Sequence, residues 1–249
     1  MELAVVNRSA AHAIRSVGED SIFSIGSSEI FDVIVVGAGV SGSFLAEAIT
    51  QSGKSCLVLE AGRYFDSSHY PRSEIDANSQ LYWSGGIEFN HTAEIGFLRP
   101  KVVGGGSIVN QALVDRFDAL ALDSWRERSG IDWLSVDGMA PSYDAAESKI
   151  VVQTIPAEHR NGNARVFEEG FSKNGFKCAP LRRAQRDCRY FEGNDCIECL
   201  AGCPIQSKQS MPWTTLARAR ETGQLRLLSR FEVQGIEEKQ DSVRVSGRT

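Results

Sequence analysis

Apolar residues follow one another almost without interruption from Phe31 to Val36, and valine and isoleucine make up most of the run. A short run of this kind predicts a parallel strand that is buried on both faces. A second strand is predicted from Ser55 to Leu59. Between the two strands, apolar residues recur at the spacing of a helix that ends at Gly53. The predicted apolar stripe of this helix consists of Phe44, Leu45, Ala48 and Ile49.

The hydrophobic pattern beyond residue 63 is less regular. Residues 64–99 mix aromatic and polar side chains, which indicates a lid, a binding loop or several short elements. Two helices are predicted further on, one that has Pro141 near its N-terminus and one over residues 164–174. Strands are predicted over residues 225–228, 231–236 and 242–245.

The turn between the first strand and the helix has the sequence Gly37-Ala38-Gly39-Val40-Ser41-Gly42. This spacing is typical of a dinucleotide site. The first glycine allows the tight turn, the second lets a pyrophosphate approach the backbone, and the third lets the helix pack closely. Glu60 follows the second strand, where a carboxylate accepts hydrogen bonds from a ribose. We therefore predict a dinucleotide site, and the motif alone leaves FAD and NAD open.

Composition narrows the class of protein. The chain has 249 residues, 42% of them hydrophobic and 24% charged, which predicts a globular protein with one large core or two modest ones. The net charge of −5 gives no reason to expect a nucleic acid or an anionic membrane as partner. No apolar run approaches the ~20 residues that cross a bilayer, and residues 1–30 lack the features of a signal peptide. We expect a cytoplasmic protein, and export with a partner subunit stays open.

A second glycine-rich stretch, Val102-Val103-Gly104-Gly105-Gly106-Ser107-Ile108-Val109-Asn110, follows the irregular region. Three consecutive glycines, followed by a hydroxyl and an amide, let backbone donors wrap around a phosphate or a planar ring. Together with VIVVGAGVSG, LVLEAGR and Trp125, this stretch resembles the glucose–methanol–choline (GMC) oxidoreductases, which are FAD-dependent flavoenzymes. The resemblance covers most of the chain from Phe31 to Val245.

The resemblance implies an α/β protein with a Rossmann-like FAD-binding fold and the beginning of a second, substrate-binding domain. The implied domains are an N-terminal extension (1–30), the first part of the FAD-binding domain (31–120), the start of the substrate domain (121–222), which contains a cysteine-rich loop (188–208), and strands that return to the FAD domain (223–249). The residues that would hold FAD are Gly37, Ala38, Gly39, Ser41, Gly42, Glu60, Ala61, Gly62, Arg63, Val103, Gly104, Gly105, Ser107, Asn110 and Val233. Of these, Asn110 would lie near the isoalloxazine ring, and the backbone of Val233 would contact adenine.

The resemblance also implies a reaction. GMC enzymes oxidise the CH–OH group of an alcohol or sugar by transferring hydride to flavin N5, and a histidine in a C-terminal segment acts as the general base. The four histidines here, His12, His69, His91 and His159, do not lie in a matching motif. The chain therefore resembles the N-terminal part of such an enzyme, with the C-terminal part of the family fold missing and the catalytic histidine beyond residue 249. No catalytic residue is predicted in this chain.

The cysteines raise a further possibility. Three of them, Cys196, Cys199 and Cys203, have the spacing of three quarters of the ferredoxin run, and the last precedes a proline. Three thiolates can hold an iron–sulfur cluster, with Cys188 as a fourth ligand. GMC-like proteins with and without a cluster carry a similar stretch, so reduced thiols in a packed loop, a disulfide and zinc stay open. Cys56 and Cys178 are predicted to be buried thiols.

Two other functions stay open beside the GMC enzyme. The chain could be an iron–sulfur or FAD-binding subunit of a sugar dehydrogenase that needs a partner chain. It could also be an NAD-dependent Rossmann dehydrogenase, although that class does not need the GGGS stretch.

Overall fold

The structure is a computed structural model, and it describes residues 2–5, 29–186, 188 and 197–249. The chain divides into two compact units. The first consists of Met1–Asn110, Glu198–Gln206 and Ser210–Thr249, and the second of Gln111–Ile197 and Ser207–Gln209. The cofactor and substrate roles predicted for residues 31–120 and 121–222 stay predictions.

Strands and helices alternate along much of the described chain. The strands are β1 (Glu2–Val5), β2 (Val33–Val36), β3 (Cys56–Leu59), β4 (Tyr82–Phe89), β5 (Gly96–Pro100), β6 (Gln153–Thr154), β7 (Arg182–Arg183), β8 (Leu225–Leu228), β9 (Glu232–Lys239) and β10 (Ser242–Arg248). The helices are α1 (Val40–Gln51), α2 (Glu74–Leu81), α3 (Gly106–Val109), α4 (Ala119–Ser129), α5 (Val136–Glu147), α6 (Gly162–Lys173) and α7 (Thr215–Glu221). The mixture confirms the predicted α/β class.

Three parallel strands form the central sheet of the first unit, in the order β2-β3-β8. The middle strand, β3, is buried along its whole length, as a strand with neighbours on both sides and layers on both faces should be. Successive side chains of a strand point to opposite faces. Accordingly, Leu57 and Leu59 pack into one apolar cluster with Phe31 and Phe231, whereas Cys56 and Val58 pack into another. The predicted strand, turn, helix and strand unit is confirmed.

Helix α1 buries a different face from the predicted one. Its buried residues are Ser43, Ala46, Glu47 and Thr50, whereas Leu45 is 52% exposed. Glu47 tolerates burial because its Oε1 accepts a hydrogen bond from Nε of Arg218 on α7 at 2.6 Å. Thr50 donates its hydroxyl to the carbonyl of Ala46 at 2.9 Å. The predicted apolar stripe was therefore right for Phe44 and Ile49, which pack against a core cluster, and wrong for Leu45 and Ala48, which are exposed.

Residues 64–100 contain regular elements rather than one long loop. Helix α2 begins at a capping box, in which Ser73 Oγ accepts from the amide of Asp76 at 3.1 Å and donates to its carboxylate at 2.7 Å. The helix leads directly into an antiparallel hairpin of β4 and β5. A second antiparallel sheet, in the order β1-β10-β9, completes the strands of this unit.

The second unit has few buried side chains. Helices α5 and α6 bury none of their described residues. Ser135 caps α5 by accepting the amide of Gly138 at 3.0 Å, so Pro141 lies inside the helix and not near its N-terminus as predicted. Among the residues that the structure describes, no helix is long and apolar enough to cross a membrane.

Candidate cofactor-binding site

The turn between β2 and α1 contains glycines of two kinds. Gly37 has φ of 96°, which favours glycine, and its amide donates to the carbonyl of Leu59 at 2.7 Å. A Cβ on Gly42 would meet the carbonyl oxygen of Gly37. Gly39, the N-cap of α1, has an ordinary extended φ, and a Cβ there would meet no atom within 4 Å. The fold therefore requires Gly37 and Gly42, whereas Gly39 keeps space open beside the first amides of a helix.

The second glycine turn lies directly against the first. The amide of Gly104 donates to the carbonyl of Ala38 at 2.9 Å. Gly105 has φ of 52°, and a Cβ on it would stand 2.8 Å from the Cα of Gly39. Two motifs separated by more than sixty residues in the sequence thus bring their backbones together, with Gly39 and Gly106 half-buried, beside a helix N-terminus of the kind that binds a pyrophosphate.

Ser107 holds the second turn in place. Its hydroxyl donates to the carbonyl of Gly104 at 2.6 Å and accepts from the amide of Met211 at 3.0 Å. The hydroxyl of Ser210 donates to the Ser107 carbonyl at 2.7 Å. Because the proton and one lone pair of its hydroxyl, together with its carbonyl, serve the fold, Ser107 acts as a brace, and its predicted contact with a cofactor stays a prediction.

Glu60 joins the end of β3 to the first turn. Its two carboxylate oxygens accept the amides of Ala38 at 2.8 Å and of Gly62 at 2.7 Å. Burial raises the pKa of this carboxyl, and the two amides and the charge of Lys101 oppose the rise. Each carboxylate oxygen retains a second lone pair, so the predicted hydrogen bond to a ribose is compatible with this bracing role.

The residues after Glu60 continue the same surface. A Cβ on Gly62 would meet the backbone of Lys101 and Val102, so only glycine fits. Arg63 accepts the amide of Val103 at 3.0 Å through its carbonyl. The strand end at Ala61–Arg63 and the second glycine turn are therefore adjacent, as a shared binding site requires.

The other predicted contacts lie at the margin of this surface. Ser41 is exposed in the first turn of α1, and Asn110 is exposed at the end of α3. The side chain of Val233 packs against the cluster around Phe31 and Phe231, which leaves its backbone as the group that could meet a ligand. The sequence prediction omitted Gly106, whose Cβ would also meet no atom within 4 Å. The fold requires glycine at positions 104 and 105 but not at 106, and this third consecutive glycine was the sequence signal for a further ligand contact.

The structure describes three of the four cysteines that were predicted as possible iron–sulfur ligands. Cys199 and Cys203 are buried, Cys188 is half-buried, and Cys196 lies outside the described residues. The structure places no group of three or more possible metal ligands together among the residues it describes, so the cluster stays a prediction without support here. Cys56 is buried as predicted, and burial raises its pKa to about 12. Cys178 is exposed, so the prediction that it is buried was wrong.

The histidines of the first unit lie on the surface. His69 is exposed and stands 3.8 Å from the carboxylate of Asp66, and His91 is exposed in the turn between β4 and β5. His12 lies outside the described residues. The absence of a catalytic residue from this chain stays a prediction.

Comparison with known proteins identifies the family. A family model described as GMC oxidoreductase matches residues 31–247. The chain is 30% identical over 210 residues to an uncharacterized GMC-type oxidoreductase of Sinorhizobium fredii, covering 82% of this chain and 39% of that protein. It is 27% identical over 185 residues to a long-chain-alcohol oxidase of Arabidopsis thaliana, covering 74% of this chain and 25% of that protein. The chain therefore belongs to the GMC oxidoreductase family, which confirms the resemblance.

A solved structure supports the fold. The FAD-dependent oxidoreductase from Chaetomium thermophilum superimposes with a TM-score of 0.59 at 18% identity, covering 84% of this chain and 40% of that one. This likeness shows that the two chains share a fold. The chain spans less than half of the length of the relatives named here.

Proposed function

We propose that this chain binds FAD, in preference to NAD, across its two glycine turns. The observation that carries the proposal is the open space above Gly39, bounded by Gly105 of a distant motif. Gly162 is equally open, but Gly39 stands at a helix N-terminus against a second glycine turn, which is where a pyrophosphate would approach the backbone.

Each part of the surface has a role in this proposal. The amides at the start of α1 and the backbone of Gly39 would hold the pyrophosphate, and Glu60 would accept from the adenosine ribose. The second glycine turn and Asn110 would lie along the flavin side. The backbone of Val233 would meet adenine.

The proposed reaction is oxidation of a CH–OH group of an alcohol or sugar. FAD, when bound, supplies the hydride acceptor at its N5 atom. The residues of this chain would bind and orient the cofactor, and the glycines of the two turns would leave room for its pyrophosphate. The relative named as a long-chain-alcohol oxidase supports an alcohol substrate. The family resemblance assigns the general base to a histidine, and we assign that role to none of the four histidines of this chain.

Cofactor choice is tested by calorimetry with FAD and with NAD on the purified chain, together with the absorbance spectrum before and after dithionite. We expect FAD to bind more tightly and the flavin absorbance to bleach on reduction. Tighter binding of NAD would contradict the proposal and favour a nicotinamide dehydrogenase.

Turnover is tested with the same protein. We expect the 249-residue chain to reduce no dye when alcohols or sugars are added, because none of its four histidines lies in the motif that carries the base of the family. Substrate-dependent dye reduction that is lost in His69→Ala or His91→Ala would place the base in this chain.

Iron analysis tests the subunit alternative. A cluster requires Cys196, Cys199 and Cys203 as thiolates, and each Cys→Ser change would then release iron. About three irons per chain after anaerobic purification, with a paramagnetic signal in the oxidised state, would identify an electron-relay subunit. Iron-free protein with titratable thiols would favour an oxidase-like enzyme.

A further inference from the structure

A short segment that precedes α7, Ser210-Met211-Pro212, lies directly against the second glycine turn. All three residues are buried, and Ser210 is 2% exposed. Met211 packs into the same apolar cluster as Ala38 of the first glycine turn. A Cβ on Gly104 would stand 2.8 Å from Cδ of Pro212. The segment therefore supports both turns from outside their own motifs.

Two hydrogen bonds of opposite direction join this segment to Ser107. The hydroxyl of Ser210 donates to the Ser107 carbonyl at 2.7 Å, and the amide of Met211 donates to the Ser107 hydroxyl at 3.0 Å. The Ser107 hydroxyl in turn donates to the carbonyl of Gly104 at 2.6 Å. All three bonds are buried, so the loss of one donor leaves an acceptor that is unsatisfied. The position of Gly104 is therefore fixed, through Ser107, by a distant part of the chain.

The hydroxyl of Ser210 can be removed without breaking the other bonds of its segment. The carbonyl of Ser210 accepts the hydroxyl of Thr214 at 3.0 Å and the amide of Trp213 at 3.1 Å. Neither bond involves the Ser210 side chain. The apolar packing of Met211 also stays in place when that hydroxyl is lost. We therefore expect its removal to displace the glycine turn and to leave the fold intact.

A displacement of the second turn changes the space above the first. The amide of Gly104 donates to the carbonyl of Ala38 at 2.9 Å, and a Cβ on Gly105 would stand 2.8 Å from the Cα of Gly39. Any movement of the second turn therefore moves atoms that bound the space above Gly39. A ligand that is held by backbone groups binds tightly only where those groups are fixed before it arrives.

We propose that Ser210 is a positioning residue for the cofactor, which holds the second glycine turn against the first. This role rests on the proposed binding of FAD across the two turns. Ser210 acts through Ser107 and makes no contact with the cofactor itself. It differs from a residue that only stabilises the fold, because its loss should change the turn in the free chain and the surroundings of the flavin in the bound chain.

The test compares Ser210→Ala with Thr214→Val. The control removes another buried hydroxyl of the same segment, one that bonds to the Ser210 carbonyl and not to the glycine turn. We expect both variants to fold, with similar small decreases of the thermal midpoint. Hydrogen exchange of the FAD-free chain, followed by mass spectrometry, should be faster over residues 103–110 in Ser210→Ala and unchanged there in Thr214→Val.

The bound state is tested with the same variants. Calorimetry should show about tenfold weaker FAD binding to Ser210→Ala and parent affinity for Thr214→Val. At saturating FAD, the visible circular dichroism of the flavin should change in Ser210→Ala alone, because this signal depends on the surroundings of the ring and not on the stability of the fold. Ser210→Thr keeps the hydroxyl and should recover the parent affinity and signal.

Several results would overturn the positioning role. These are parent exchange rates or parent FAD affinity in Ser210→Ala, equal losses in Ser210→Ala and Thr214→Val, failure of Ser210→Ala to fold, and failure of Ser210→Thr to recover the affinity. In each of them the parent still binds FAD, so the proposed function stands. Absence of FAD binding to the parent would instead contradict the proposed function, and the role of Ser210 would fail with it.

Discussion

The two units of this protein are stabilised in different ways. The first packs two clusters of buried apolar side chains against its parallel sheet and a third around α2 and α3. In the described part of the second unit, the buried residues are Ala112, Leu122, Gln185, Ser207 and Lys208. The second unit instead joins its segments through charge, since Glu147 of α5 accepts from Arg116 at 2.8 Å and also from Arg182 of β7.

This difference explains where a rigid site is possible. The first glycine turn joins β2 to α1, and Val103 before the second turn packs into the same buried cluster as Cys56 and Val58 of β3, so small displacements of either turn are opposed by the core. Phe167 and Phe171 of α6 stack at 4.3 Å between ring centroids, yet both are exposed. These rings therefore contact each other at the surface and are not packed into a buried cluster of the kind found in the first unit.

The largest effect should come from a core truncation in the first unit. Leu59→Ala removes a side chain that is 1% exposed, and we expect a loss of about 2–5 kcal/mol in the free energy of unfolding. Phe167→Ala, at an exposed position of the second unit, should cost less than about 0.5 kcal/mol. Denaturant titration measures both. Equal costs would show that the second unit has a core of its own.

A smaller effect should follow from removing the bracing carboxylate. Glu60→Ala leaves the buried amides of Ala38 and Gly62 without acceptors, which should cost about 1–3 kcal/mol for each unsatisfied group. Glu60→Gln should cost less, because one acceptor remains and burial already disfavours the charge. Glu168→Ala breaks a half-buried pair with Arg160 at the surface and should cost below about 1 kcal/mol. Thermal unfolding of the three variants would contradict this ranking if Glu168→Ala were the most damaging.

The smallest effect should be on the stability of the second unit at acidic pH. Hydrogen bonds from Arg116 and Arg182 lower the pKa of Glu147 from 4.5 to about 2. A lowered pKa gives stability that is present above the ordinary value and is lost as the pH falls from about 4.5 towards about 2. We therefore expect Glu147→Gln to reduce the loss of thermal midpoint between about pH 5 and about pH 3. An unchanged pH dependence would show that this network contributes nothing.

The glycine turn could be predicted from sequence because its requirements are local. Gly37 must adopt a positive φ and Gly42 must lie against the Gly37 carbonyl, and both needs follow from neighbouring residues. The inner face of α1 could not be predicted, because Glu47 is stabilised by Arg218, 171 residues further along the chain. From the hydrophobic pattern alone, Glu47 would be predicted to face solvent, although it is buried in the structure.

The elements between residues 64 and 100 were hidden for a different reason. The alternation of β4 is interrupted by Ser84, Gly85 and Gly86, which have φ of 54°, 71° and 144°. The spacing of Ser73 and Asp76 is typical of a helix N-terminus and indicates the start of α2, although no helix was predicted there. The contact of Ser210 with Ser107 could not be foreseen, since the two residues are 103 positions apart in the chain.

The central claim, that the space above Gly39 belongs to FAD, is tested most directly by one pair of variants. Gly39→Val fills that space, and Gly162→Val makes the same change at the start of α6, where a Cβ would also meet no atom within 4 Å. Calorimetry with FAD should show no binding to Gly39→Val and parent affinity for Gly162→Val, with both variants keeping the parent thermal midpoint. FAD binding to a folded Gly39→Val with the parent affinity would contradict the account.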